Sequence, residues 1–228
     1  AGQSCVGDHF AWFVENCVPE SYEQEARVRG ISIHQLLSEK LSSYKAGASG
    51  LLALDWFNGV RTPLMDFNLN GLIMGMNLLT KPEEIYLSLI EATAYGTRMI
   101  IEGFEEAGLE VKDITLSGGI PIKNEMLVQV YSDVCNRKIK VVDSTQSSAL
   151  VAAILGAAAA PERITGFKNA NEAAKKLGKV KDKVWGPNQD NVEIYNELYE
   201  EYKTLHTYFG TGINDVMKHL NNIRERRK

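Results

Sequence analysis

The sequence predicts an α/β protein, a mixed sheet flanked by helices with extra helices at the C-terminal end. Three observations carry this reading. Short apolar runs alternate with helical periods through the middle of the chain, in the order strand, strand, helix, strand, helix, strand, helix. The run DITLSGG (113–119) takes an apolar segment into a glycine pair. From residue 191 onward the apolar spacing is helical only.

Taken in order, segment 5–18 places Phe10, Phe13, Val14 and Cys17 at helical spacing, and Pro19 stops it. Ile33, Leu36, Leu37, Lys40 and Leu41 predict a second helix within 31–44. KAGASG (45–50) is a loop by composition. LLALDW (51–56) and LIMGM (72–76) read as strands on either side of the turn-rich 58–71. The clearest helix runs from Pro82, suited to a first turn, to about Glu106. Ile85, Leu89, Ala92, Tyr95, Ile100 and Phe104 mark its inner face, and Gly108 follows as a stop. A strand at 113–119, a helix from Asn124 to Val134 and a strand at 139–143 follow. Next comes a helix of small and apolar residues at 147–160. Amphipathic helices at 168–178, 191–209 and about 214–226 complete the chain. No internal repeat or low-complexity segment interrupts it.

Bulk properties narrow the function classes. Hydrophobic residues make up 44% of the 228-residue chain and charged residues 24%, the proportions of an ordinary globular protein. The net charge of −4 gives no electrostatic case for nucleic acid. Arg224, Arg226, Arg227 and Lys228 read as a solvated helix terminus. No apolar run reaches the length of a membrane span. Cys5, Cys17 and Cys135 contain no CxxC pair, and an odd count suits a reducing, cytoplasmic setting. His9, His34, His206 and His219 lack metal-ligand spacing, so no metal ligand is assigned and His9 is read as a packed histidine. The start, AGQSCVGDHF, has no initiating Met and no signal-peptide pattern, and is read as a cut within a larger protein.

The segment that carries chemistry is DITLSGGIPIKNEMLVQVYSDVCN (113–136). Glycines after a strand let a ligand approach the backbone, and the following helix offers unpaired N–H groups and a positive dipole end to phosphate. This is neither GxGxxG nor a Walker A loop. A plain strand-to-helix turn fits the residues as well as a ligand site does.

In its surroundings the segment resembles the adenosine-binding element of the FGGY carbohydrate kinases, which have the actin-like ATPase (ribonuclease H-like) fold. Gly59, Arg61, Pro63, Asp66, Gly71 and Gly75 follow that family's G-x-R-x-P, Asp, Gly, Gly pattern. Residues 83–104 look like its long helix with a Glu-x-x-Ala-x-Gly core. The likeness covers essentially the whole chain. It implies a C-terminal, nucleotide-binding lobe spanning 1–228, with 187–228 a helical extension and an N-terminal sugar-binding lobe outside this sequence. It further implies ATP and Mg2+ as cofactors and phosphoryl transfer to a ketopentose, L-ribulose, within L-arabinose breakdown. The catalytic Asp is expected before Ala1, so this chain alone is expected to be inactive. Carried over position by position, the nucleotide-binding residues are Gly7, Gly118, Gly119, Lys123 and Asn124. Which of Lys123 and Asn124 touches adenine stays open. Asp8 is either a cleft acid or an acid of the first helical turn.

Other residues receive structural readings. Asp55, Asp66 and Asp143 are expected to accept backbone hydrogen bonds, Arg61 to form an ion pair in preference to anchoring a phosphate, and Trp12, Trp56 and Trp185 to pack in the core. The small-residue helix 147–160 serves either domain closure or core packing. Three competing functions are a kinase for another pentulose or polyol, a non-enzymatic actin-like nucleotide module, and a Rossmann-type binder. The last lacks GxGxxG and the acidic residue of a later strand end. A homodimer, and pairing of an exposed sheet edge with another chain, are left open.

Overall fold

The computed structural model describes residues 1–227; the expectation for Lys228 lies outside the described residues. Helices α1 (Gly7–Cys17), α2 (Glu20–Arg29) and α3 (Ile33–Lys40) lead into strands β1 (Leu52–Leu54) and β2 (Leu72–Met74). Then come α4 (Pro82–Glu106), β3 (Asp113–Leu116), α5 (Gly119–Lys123), α6 (Glu125–Cys135) and β4 (Lys138–Val142). The chain ends with α7 (Ser147–Ala159), α8 (Glu162–Thr165), α9 (Ala170–Leu177), β5 (Val180–Trp185), α10 (Gln189–Gly210) and α11 (Val216–Glu225).

The strands form two sheets. β1 and β2 make an antiparallel pair, with Leu52 opposite Met74. The mixed sheet has the order β3-β4-β5. β3 and β4 run parallel, Asp113 opposite Lys138, so the connection between them must be a crossover, here α5 and α6. β5 joins antiparallel, Ile139 opposite Trp185.

Helix α4 is the axis of the core. Pro82 opens it, and the Lys81 N–H donates to the Glu84 carboxylate at 2.7 Å, which occupies one of the donors a helix start leaves unpaired. The expected single inner face is only part of the outcome. Tyr86 to Gly96 is buried on every side, while Ile100 is half-buried and Phe104 exposed. α1, α3, β1, α6 and α10 all pack on this helix, so its middle has no solvent face.

Helix α10 packs into the core, and α11 adds Met217 to it. Tyr195, Tyr199 and Tyr202 of α10, a stripe at helical spacing, are all buried. Their hydroxyls donate to Glu91 (3.1 Å), Glu102 (2.7 Å) and Asp55 (2.9 Å), tying α10 to α4 and to the end of β1. Asp55 is held chiefly by side chains, accepting from Gln3 and Tyr202, with a backbone contribution beside them. Asp66 does accept a backbone bond, from Asn68 N–H at 2.9 Å, and pairs with Lys218. Asp143 is exposed.

Four elements escape the sequence reading, the first being α5, which forms between the expected strand and the helix from Asn124. α2 is polar on nearly all faces and buries only Ala26, so it shows no apolar stripe. β5 carries Lys181, Asp182 and Lys183 and buries only Trp185, the composition of a protected edge. α8 is a single turn. Trp56 and Trp185 are core residues, but Trp12 is 42% exposed and leans on Phe57. Arg61 is exposed and makes no ion pair among the described residues. His9 is packed as expected, with Nε2 at 2.9 Å from the Asp55 carbonyl. Core packing does not account for α7, which buries only Ser147 and Ile154 and leaves Val151 and Leu155 exposed. Among the described residues no helix is long and apolar enough to cross a membrane.

Candidate functional site

A cavity of about 870 Å³ opens where α1, α3, α4 and the α5–α6 corner meet. Four of the five residues named from sequence lie on its wall: Gly7, Gly119, Lys123 and Asn124. A second, more enclosed hole beside Asp55 and His206 measures only about 10 Å³, the size of a single water.

Each wall has a local cause. α1 starts at Gly7, where it passes close to α5: a Cβ at Gly7 would lie 2.9 Å from Cδ1 of Ile120. Gly118 turns the chain at the end of β3. Its φ of +101° with ψ of 179° is a conformation open to glycine and costly for other residues. Its N–H donates to Ser147 Oγ at 3.3 Å, which anchors the turn to α7. Gly118 is thus the one named residue outside the cavity lining, and it shapes the turn that presents Gly119. Gly118→Ala should cost about 1–3 kcal/mol from backbone strain alone, because open space surrounds the added methyl. Urea denaturation of both proteins measures this.

Asn124 is the N-cap of α6. Its Oδ1 accepts the Leu127 N–H at 3.1 Å, which leaves the amide N–H2 as the free end. Burial pushes the Tyr86 hydroxyl up to about 12, and the Asn124 side chain works against that shift. The Tyr86 hydroxyl also lies 3.1 Å from Nδ1 of His34. Burial, and then the nearby Lys123 ammonium, hold His34 below its ordinary value. Lys123 is exposed at the C-terminal end of α5. The cavity thus has an apolar side of Phe10, Tyr86, Ile120 and Met126, a polar side along α3, and a cation and a helix start at its rim.

The α3 side was not anticipated. Ser32, His34, Gln35 and Ser38 face the cavity while Leu36 and Leu37 are buried beneath. The signal in the sequence was a polar stripe opposite an apolar one, which every surface helix shows. Phe10 and Tyr86 were hidden for the converse reason, since an aromatic residue at helical spacing reads as core.

Residues 1–160 match the model of the FGGY family of carbohydrate kinases, C-terminal domain. A ribulokinase of Bacillus licheniformis is 52% identical over 224 residues, covering 98% of this chain and 40% of the relative. A ribulokinase of Anoxybacillus flavithermus is 50% identical over 225 residues, 99% of this chain and 40% of the relative. The chain therefore spans about two fifths of the length of these relatives. In fold it is similar to the xylulose kinase from Rhodospirillum rubrum, with a TM-score of 0.67, 20% identity, and 90% of this chain and 38% of that chain covered. Plasmodium falciparum glycerol kinase with ADP gives 0.65 at 20% identity, covering 90% and 37%. The fold is that of the actin-like ATPase-type kinase lobe, and the chain belongs to the FGGY family of carbohydrate kinases, whose C-terminal domain it contains.

Proposed function

We propose that this chain is the adenine-nucleotide-binding lobe of a kinase that transfers the γ-phosphoryl group of ATP to L-ribulose. The observation that carries the reading is the cavity between α1, α3, α4 and the α5–α6 corner. Its volume of about 870 Å³ lies in the range of small-molecule sites. Its walls suit the ligand chemically, with rings and a methionine for a flat base, an N-capped helix start and Lys123 for anionic oxygens. Bound ATP supplies the phosphoryl group, and this lobe's residues hold and orient it. Gly7 admits the approach of α1 to Ile120, Gly118 and Gly119 present the turn, and Asn124 and Lys123 flank the ligand.

The name of the ribulokinase relatives supports a ribulose as acceptor, and the L form and a place in L-arabinose breakdown are part of the proposal. The catalytic Asp and most sugar contacts are assigned to a second lobe, so turnover is proposed for the two lobes together and not for residues 1–228 alone. Residues 187–228 are proposed to belong to the lobe as a helical extension. Mg2+ is proposed to arrive with the phosphates, which suits its preference for few protein ligands. Among the described residues no three His, Cys, Asp or Glu side chains converge on one point. The three cysteines are free and fit a cytoplasmic setting.

Titrating ADP to millimolar concentration into the 15N-labelled chain tests the site. Saturable shifts are expected at Gly7, Gly119, Lys123 and Asn124. Shifts confined to other regions, or none, would remove the nucleotide assignment from this cavity.

A further inference from the structure

The polar side of the cavity contains a chain of hydrogen bonds with a defined direction. Asn124 cannot turn freely, because its Oδ1 is held by the Leu127 N–H. Its amide is therefore the end turned toward Tyr86, whose titration it lowers. The buried Tyr86 hydroxyl has one proton to give, and among the described residues the hydrogen-bond partner within reach of it is Nδ1 of His34 at 3.1 Å. That assigns Nδ1 as an acceptor, so the proton of the neutral ring sits on Nε2. Nε2 has no protein partner among the described residues, and His34 lines the cavity. Tyr86 is 2% exposed, so the relay is shielded from water at its centre.

We propose that Tyr86 and the capped Asn124 are positioning residues that lock His34 as an Nε2–H donor, and that this donor recognises a ring nitrogen of the purine base. The inference rests on the nucleotide reading of the cavity. Ring nitrogens with a lone pair are what a purine offers to a donor at the edge of a pocket. Neutrality of His34 is favoured from several directions. Lys123 is a nearby cation, burial disfavours the charged ring, and His34 stands in the first turn of α3, at the positive end of its dipole. The acids on the cavity wall, Glu39 and Glu125, are both exposed.

Long-range 15N–1H correlation of the His34 ring reads the tautomer without any ligand. The full chain is expected to show protonated Nε2 and bare Nδ1, and Tyr86→Phe is expected to lose that preference while keeping its dispersed backbone spectrum. ADP binding should weaken about tenfold in Tyr86→Phe, and to a similar extent in His34→Ala, whose side chain is half-buried on a surface helix. An Nδ1–H tautomer in the unaltered chain would overturn the relay whatever ADP does. Unchanged ADP affinity in both variants would overturn the recognition role. If ADP produces no saturable shift in the unaltered chain, the nucleotide reading fails and the base-recognition role falls with it, while the tautomer measurement still decides the relay separately.

Discussion

Gly96→Ala is expected to destabilise the protein by about 4 kcal/mol and to release the first residues of the chain. Gly96 lies in the buried middle of α4, and a Cβ there would fall 2.5 Å from Gln3 Nε2 and 2.9 Å from Asp55 Oδ2. Those atoms are bonded to each other at 2.8 Å, and Gln3 Nε2 also donates to the Thr93 carbonyl at 2.8 Å. Asp55 is deeply buried and also accepts from Tyr202, so it cannot move aside, and the clash is relieved by displacing Gln3 from its two hydrogen bonds. Overpacking of a tight core costs about 1–3 kcal/mol. Loss of a hydrogen bond to a buried carboxylate adds roughly 1.5–3 kcal/mol. Gly7→Ala is the natural comparison, because its methyl would meet only the tip of the Ile120 side chain, which can swing away. Urea denaturation should show a much lower midpoint for Gly96→Ala and a small change for Gly7→Ala. Similar losses in both would show that the Gln3–Asp55 bridge has little weight.

Glu91→Gln is expected to raise stability at pH 8 by on the order of 4 kcal/mol relative to the unaltered chain, with little difference near pH 4. Glu91 is 2% exposed inside α4, and burial pushes its carboxyl up to about 8, opposed only by the hydrogen bond from Tyr195. The folded value thus lies above the unfolded one near 4.5. Between those two values the folded state holds the extra proton, so stability falls as pH rises from about 4.5 to 8. Glutamine has the shape of the protonated acid, keeps an acceptor for Tyr195 and does not titrate. His206 acts in the opposite sense. Burial lowers it to about 4, so its contribution is intact above its unfolded value of 6.5 and is lost as pH falls from there. Asp55, raised by burial, is common to both proteins and cancels in the difference between them. Chemical denaturation at half-unit steps from pH 5 to 8.5 measures that difference. Parallel curves for the two proteins would show that Glu91 is ionised in the fold.

The site was partly legible because glycine leaves a mark that other residues do not. DITLSGG placed a turn after a strand, and the turn is there, with Gly118 at a positive φ. Asn124 was named beside Lys123 with no means of separating them. The structure separates them geometrically, Asn124 capping α6 and touching Tyr86, and Lys123 exposed near His34. The α3 wall was not legible, since His34, Gln35 and Ser38 are remote in sequence from the glycine turn. Only packing against α4 brings them to it.

Local chemistry by itself determined most of the elements. Pro82 and Glu84 define the start of α4, Gly108 follows its end, and the apolar runs at 52–54, 72–74, 113–116 and 138–142 became strands. Those features depend on neighbours in sequence, so the sequence contains them. Tertiary structure alone decided which polar residues went inside. Glu91, Asp55 and His206 look like surface residues until Tyr195, Tyr202 and Trp56 close over them. It also decided that α10 completes the core and that α7, the most apolar helix, stays largely exposed. The physical reason is that burial belongs to no residue alone. It follows from which distant segments meet, and spacing along the chain does not record that.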